Sequence, residues 1–402
     1  MLAGRDLTAG PEGLNDHLRR LGPLPAGGPE VIEVLIRSGL SGRGGAAFPL
    51  GLKWRATAGH SRGTAVVVAN GAEGEPHSKK DRLLMTTRPH LVLDGALLAA
   101  QAVRAKQVVL YIGEEHHVAR QAMSSALAER SDAERRIVRT VSSPARYVAG
   151  SSSAAVHLVN AGLATPTTAP PSAHESGVNG APTLVQNVES LAHAALIARY
   201  GHTWYRSAGR RGAAGTLLVT MSGGVAGQGV LEVEAGTTVG EAVEMAGGAT
   251  EPPGAVLVGG YFGSWVNAQD AWELPLDATA LRTVNLSLGC GVIGLLPQSR
   301  CGVCETAGIM RYLAAESSAQ CGPCFFGLRA LADACSRIAE RGSNPVDMQR
   351  LQRWAHEVKG RGACHHPDGA AMFLQSALDT FAEDFAQHPA HWRAQPEVRR
   401  PA

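Results

Sequence analysis

Two short runs built almost wholly from β-branched and apolar residues, Ala65-Val-Val-Val-Ala69 and Gln107-Val-Val-Leu-Tyr-Ile112, set the strongest limit on the fold. A strand with one wet face alternates polar and apolar residues, whereas a strand apolar throughout is covered on both faces. Between the runs lies a stretch of helical length, about 90–105, and another, about 116–130, leads to a third run, Ile137-Val-Arg-Thr-Val141. This alternation predicts a parallel α/β sheet, whose ligands sit at the carboxyl ends of the strands. The loop after the first run, Asn70-Gly-Ala-Glu-Gly-Glu-Pro76, falls where site residues gather, although Glu73 and Glu75 are equally readable as solvated acids. Lys79, Lys80, Asp81 and Arg82 then read as a solvated helix start with a local ion pair.

Before this sheet, residues 1–60 are rich in Gly and Arg and hold one short helical pattern, Pro29 to Ser38. After it, residues 160–183 form a Pro/Thr/Ser/Gly-rich loop too long for a plain connector, and a helix is predicted from Leu184 to Tyr200. Residues 214–285 read as strands with turns, Gly215–Thr220, Gly229–Val233 and Ala255–Gly260, with a short helix from Thr238, the order of a small β-grasp module. Beyond Cys301 apolar residues recur at helical spacing to about residue 388.

The chain has 402 residues, 45% apolar and 18% charged, which suits a globular protein of two or more cores. Its formal charge of +2, without a basic run, argues against nucleic acid as a partner. The longest apolar stretch, Leu91 to Ile112, is broken by Asp94, Arg104 and Lys106, so no membrane span is expected. Seven cysteines without an export signal predict a reducing, cytoplasmic setting, where their spacing means metal or redox work.

Cys321-Gly-Pro-Cys324, with Ser318 where a third evenly spaced cysteine would stand and Cys364 further on, has three of the four thiolates that hold a cubane iron–sulfur cluster. Three thiolates and Ser318 can hold a [4Fe–4S] or [3Fe–4S] cluster; His365 or His366 beside Cys364 would instead complete a Cys₃His zinc site; or the thiols stay free. Cys301-Gly-Val-Cys304 is a second C-x₂-C, opening an apolar helix and read as buried structural cysteine, as are the single Cys290 and Cys335. The glycine-rich Gly42-Arg-Gly-Gly45 lacks the dinucleotide spacing and a preceding strand, and is either a turn or a place where backbone N–H groups approach a phosphate or flavin ring, with Lys53 balancing the phosphate charge.

Four segments together resemble the NADH-binding flavoprotein subunit of respiratory complex I and the related diaphorase subunits of NAD-linked hydrogenases. They are Ser38–Trp54, Asn70–Pro76 with Lys80-Asp-Arg82, Pro182–Leu191, and Glu316–Cys324. Their order and spacing match from about residue 30 to 385. The resemblance implies an α/β, Rossmann-like flavin-binding domain, then a β-grasp (soluble-ligand-binding) domain and a C-terminal helical bundle carrying a [4Fe–4S] cluster. On this reading residues 1–60 bear the glycine-rich flavin loop, 61–210 form the flavin domain, 211–290 the β-grasp domain and 291–402 the bundle. It implies FMN contacts at Gly42, Gly44, Lys53, Asn70, Glu73, Tyr147, Gly150, Gln186, Asn187 and Ser190, and cluster ligands at Cys321, Cys324 and Cys364 with Ser318 in the fourth place. It further implies electron flow from NADH through FMN to the cluster, and a redox partner such as a ferredoxin-like or thioredoxin-fold iron–sulfur subunit.

The departures gather where the nicotinamide cofactor should lie. The family's acidic-loop Asp is Ala72, its Gly-Glu-Glu is Gly150-Ser151-Ser152, its Lys-Pro-Pro-Phe is Ala169-Pro-Pro-Ser172, and an aromatic after the Lys-Trp pair is Ala56. Phe48 and Glu75 remain for NAD(H). Losing a stacking ring and a phosphate contact costs about 1–3 kcal/mol each, so NADH binding is expected to be weakened. Two functions stand. One is an NADH dehydrogenase-type flavin and iron–sulfur oxidoreductase subunit that takes electrons from a reduced nicotinamide or a partner. The other is a paralogue keeping the scaffold as a non-catalytic assembly or binding subunit.

Overall fold

The computed structural model describes residues 1–4, 6–168 and 170–389. Its contacts divide the chain into two units. The first is Met1–Gly74, Ser78–Val219 and Val230–Thr237; the second is Glu75–His77, Thr220–Gly229 and the chain from Thr238 onward.

In the first unit β1 (Ala65–Gly71), β2 (Ala105–Gly113), β3 (Val138–Ser143) and β4 (Thr183–Asn187) make a parallel sheet in the order β3-β2-β1-β4. The all-apolar first run is explained by its two covered faces. Ala65, Val67 and Ala69 enter the large core under helices Pro29–Ser38, Pro89–Ala102 and Val188–Ser207, while Val66 and Val68 enter a smaller one with Ala155 and Val178. Gly95 lets two of these helices touch, because a Cβ there would lie 2.1 Å from the carbonyl oxygen of Leu191.

The helix expected from Leu184 does not begin there. Residues 183–187 are β4, paired in register with β1 (Ala69 opposite Gln186, Asn70 opposite Asn187). The helix starts at Val188 because the Asn187 side-chain oxygen accepts from the N–H groups of Glu189 and Ser190, ending the strand and capping the helix with one residue. Helix Ser152–Ala161 also occupies a stretch where the sequence predicted none; Ser151 caps it by accepting from Ala154 N–H.

A second sheet runs β6-β5-β9-β7-β8, from strands β5 (Thr216–Gly223), β6 (Gly229–Glu234), β7 (Pro253–Val258), β8 (Ser264–Asn267) and β9 (Val292–Pro297). β9 lies between β5, to which it is parallel, and β7, to which it is antiparallel. Helix Val239–Met245 begins in a reciprocal capping box of Thr238 and Glu241. Helices Gly302–Ala315, Arg329–Arg341, Pro345–Val358 and His366–Thr380 follow, with a π-helical turn, Pro323–Leu328, leading into the second of them. Among the described residues no helix is long and apolar enough to cross a membrane.

Candidate functional site

The order β3-β2-β1-β4 means that the chain moves outward from β1 on one side and later returns to its other side. The carboxyl ends of β1 and β4 therefore flank a topological switch point, the crevice where open α/β sheets bind ligands. The flavin residues expected from the resemblance fall on the glycine loop (Gly42, Gly44), helix Leu50–His60 (Lys53), the end of β1 and the loop after it (Asn70, Glu73), the turn Tyr147–Gly150, the end of β4 (Gln186, Asn187) and the helix that follows (Ser190). Gly42 N–H donates to Phe48 O at 2.8 Å and closes the glycine loop, and Arg43 N–H donates to Ser190 Oγ at 2.8 Å. A Cβ on Gly44 would stand 3.2 Å from Asn187 Cβ, so the loop lies against the end of β4. On the β1 side Asn70 Nδ2 donates to Gly150 O at 2.9 Å, and a Cβ on Gly74 would lie 2.8 Å from Tyr147 O.

Several of these side chains are already engaged. Glu73 accepts from Ser78 Oγ at 2.7 Å, Asp81 N–H at 2.8 Å and Arg82 N–H at 3.0 Å, so its carboxylate caps helix Lys80–Thr87. Asn187 Nδ2 donates to Asp81 Oδ2 at 2.6 Å while its oxygen caps the helix behind. Lys80 and Asp81 are buried, contrary to the solvated helix start expected. Lys80 lies 2.7 Å from Asp81 and 2.8 Å from Glu189. Burial opposes its charge, yet the two carboxylates raise its pKa above the ordinary lysine value. This network fixes the start of both helices that frame the crevice.

Two groups are left for a ligand. Gln186 Oε1 is buried and has no hydrogen-bond partner among the described residues. Lys53 meets only the carbonyl oxygen of Val185, no carboxylate pairs with it among the described residues, and burial pushes its amine down to about 8. A desolvated cation and an unsatisfied acceptor beside glycine backbone fit an anionic group carrying ring N–H functions, which is the chemistry of a flavin mononucleotide.

The nicotinamide candidates fare differently. Phe48 is exposed on the first unit. Glu75 belongs to the second unit and accepts from Tyr261 N–H at 2.8 Å. Ser151 is spent as a helix cap, and Ser172 Oγ bonds Glu175 at 2.8 Å. Ala169 lies outside the described residues.

In the helical region Cys324 is buried inside the π-helical turn, with Cys321 at its entry and Cys364 just before helix His366–Thr380. Burial first, then the neighbouring Cys321 and Cys364, push the Cys324 thiol up to about 12, and Cys364 is raised by burial and by Cys321. Thiols gathered at one place, two of them disfavoured as thiolates, fit a site for a multiply charged cation. The histidines beside Cys364 turn elsewhere: His366 Nε2 bonds Leu313 O at 2.8 Å, and the His365 side chain is fully exposed. That arrangement speaks against the Cys₃His zinc alternative at this place.

Cys301 and Cys304 are not buried core. Both are half-exposed and share the Nε2 of His388, at 3.2 Å and 3.8 Å. The hydrogen bond with Cys304 lowers the Cys301 thiol to about 5, and the Cys304 thiol is raised in return. The C-x₂-C was visible in the sequence; His388, a lone histidine 87 residues away, carried no signal. Cys335 is buried as expected.

Residues 35–195 match the Nuo51 FMN-binding domain, 218–260 the SLBB domain and 300–388 the NADH-ubiquinone oxidoreductase-F iron–sulfur binding region. The chain is 31% identical over 399 residues to the F subunit of NADH-quinone oxidoreductase from Escherichia coli, covering 94% of this chain and 87% of that one. It is 29% identical to the F 2 subunit of NADH-quinone oxidoreductase from Rhizobium meliloti, covering 89% of this chain and 88% of the relative. A crystal structure of an NAD⁺-reducing [NiFe]-hydrogenase superposes with a TM-score of 0.80 at 28% identity; the match takes in 89% of this chain and 62% of the hydrogenase chain.

Proposed function

Because this chain belongs to the family of NADH-quinone oxidoreductase F subunits, we propose that it is the electron-transfer subunit of a larger assembly, with FMN at the β1/β4 switch point and an iron–sulfur cluster at Cys321, Cys324 and Cys364. It has the family's FMN-binding domain, SLBB domain and 4Fe–4S-binding region. The observation that supports the placement of FMN is the pairing in the crevice of the desolvated Lys53, with no carboxylate partner among the described residues, and the orphaned Gln186 Oε1. Bound there, FMN would exchange two electrons on one side and single electrons with the cluster on the other.

The chain's own residues supply position and electrostatics. Lys53 would neutralise the phosphate, Gly42, Gly44 and Gly45 would let the cofactor approach without a Cβ in the way, and Gln186 would fix the ring by hydrogen bonding. Asn70, Tyr147, Gly150, Asn187 and Ser190 hold the walls, and Glu73 acts behind them as a helix cap. Cys321, Cys324 and Cys364 hold three corners of the cluster, with Ser318 in the fourth place. Residues 1–60 would carry the glycine-rich flavin loop, 61–210 the flavin domain, 211–290 the β-grasp domain and 291–402 the bundle, and the pairing of β9 with β5 and β7 favours extending the third segment to Pro297.

A second feature concerns the electron donor. Ala72, Ser151, Ser152 and Ser172 stand where the family's pattern has groups suited to a nicotinamide cofactor, and the hydroxyls of Ser151 and Ser172 are engaged locally. This favours electrons entering from a partner subunit over rapid reduction by NADH; an iron–sulfur subunit of ferredoxin-like or thioredoxin fold is the partner proposed.

The test is the protein purified without oxygen. Acid precipitation should release FMN in nearly stoichiometric amount, and anaerobic stopped-flow should show slow bleaching of the flavin band by NADH but rapid bleaching by dithionite. Protein that binds no flavin after reconstitution would end the first claim. Reduction that saturates at low micromolar NADH would end the second.

A further inference from the structure

The Cys301, Cys304 and His388 side chains form the one group of three or more potential metal ligands found among the described residues with all ligand atoms within 4.8 Å of one another. We propose that they bind a single zinc ion, distinct from the cluster at Cys321, Cys324 and Cys364. A mononuclear ion draws its ligands toward one point, whereas a cubane spreads its thiolates over separate corners. For tetrahedral zinc with Zn–S about 2.3 Å and Zn–N about 2.0–2.1 Å, sulfur and nitrogen ligands stand roughly 3.6 Å apart. The two sulfur-to-Nε2 distances, 3.2 Å and 3.8 Å, bracket that value.

The surroundings are built for this convergence. Cys301 is the N-cap of helix Gly302–Ala315 and accepts from Cys304 N–H at 3.4 Å, so both sulfurs are carried on one rigid first turn. Gly302, between them, cannot be larger: a Cβ there would fall 2.5 Å from the Phe381 ring. That close approach lets helix Ala382–Gln387, anchored by the fully buried Phe385, deliver His388 over the thiols. The His388 carbonyl accepts from Ser343 N–H at 2.9 Å, fixing its backbone as well. Two thiolates balance the charge of Zn²⁺ and a neutral imidazole adds none, so the filled site is electrically neutral. Three protein ligands leave a fourth position, which the half-exposed cysteines open to water. The ion would clasp the C-terminal segment to the first turn of the helix, giving His388 a role independent of electron transfer.

The experiment uses the full chain, purified anaerobically, with zinc measured by elemental analysis and affinity measured by competition with a chromophoric chelator. About one zinc per chain is expected. It should persist in a Cys321→Ser/Cys324→Ser variant and disappear in Cys301→Ser/Cys304→Ser, while His388→Gln weakens binding roughly a hundredfold or more. Cobalt in place of zinc should give the visible bands of a tetrahedral, thiolate-bound ion. Because a variant can fail by unfolding, wild-type protein stripped by chelator supplies a second readout: added zinc should slow hydrogen exchange across residues 382–388. Zinc retained by the Cys301→Ser/Cys304→Ser variant, an octahedral cobalt spectrum, or isolation of a Cys301–Cys304 disulfide without metal would overturn the proposal.

Discussion

The flavin crevice and the cysteine-bearing helical region diverge from the family's pattern in opposite ways. The crevice is defined by backbone: two strand ends, a glycine loop and two helix caps. Its side chains are mostly wall, and the shape survives although residues around it have become Ala72, Ser151 and Ser152. The proposed cluster site is defined by side-chain atoms counted one at a time, and Ser318 in its fourth place would leave it a quarter of its thiolates short. A site made of backbone tolerates drift that a site made of ligands registers at once.

If that contrast is right, the sharpest break comes from removing ligands. Cys321→Ser/Cys324→Ser should abolish bound iron and sulfide yet leave FMN content unchanged, as measured by colorimetric iron and sulfide assays beside flavin chromatography. Equal loss of both cofactors would mean that the regions do not fail separately.

A smaller effect sharpens the other side. Lys53→Met should weaken FMN binding by about 1–3 kcal/mol, roughly fivefold to 150-fold, through loss of a charge-assisted phosphate contact. The same change removes a desolvated amine, so the flavin-free protein should melt at a higher temperature. The pH dependence has a definite sign. With the folded pKa lowered to about 8, the amine loses its proton as pH rises through that value, so FMN affinity holds below it and falls above. For the flavin-free protein the unfolded chain binds the extra proton between about 8 and the ordinary 10.5, so stability rises across that window. Both trends should vanish in Lys53→Met; isothermal titration and thermal melts over this range decide it.

The smallest expected effect is at Ser318. A fourth thiolate in Ser318→Cys should lengthen the survival of cluster absorbance in air severalfold, because a corner iron without a thiolate is the labile one. Unchanged decay would place Ser318 away from the cluster.

The sheet was legible because Ala65–Ala69 of β1 and Val108–Ile112 of β2 are buried on both faces and carry no charged or amide side chain. β4 was not. Thr183–Asn187 is five residues long, and a short buried strand joined directly to a helix shares the helix's apolar periodicity. Without β4 there is no switch point, so the sequence alone placed Gln186 and Asn187 only through likeness to relatives. The glycine loop and the Cys321-Cys324 pair were legible from local spacing. The burial of Lys80 and the union of Cys301 with His388 arise from tertiary contacts, Lys80 with Glu189 and a sulfur with a ring 87 residues away, which no local pattern encodes.

The chain hands Glu75, Pro76 and His77 to the second unit while its neighbours on both sides stay in the first. Tyr261 N–H, in the second unit, donates to the Glu75 carboxylate. Gene fusion or recombination at any single cut therefore cannot transplant the C-terminal unit whole: a fragment starting at Thr238 would leave a buried amide without its acceptor, a loss of about 1–3 kcal/mol. The chain passes between the two units again at Thr220–Gly229 and Val230–Thr237, so no single cut separates either unit whole.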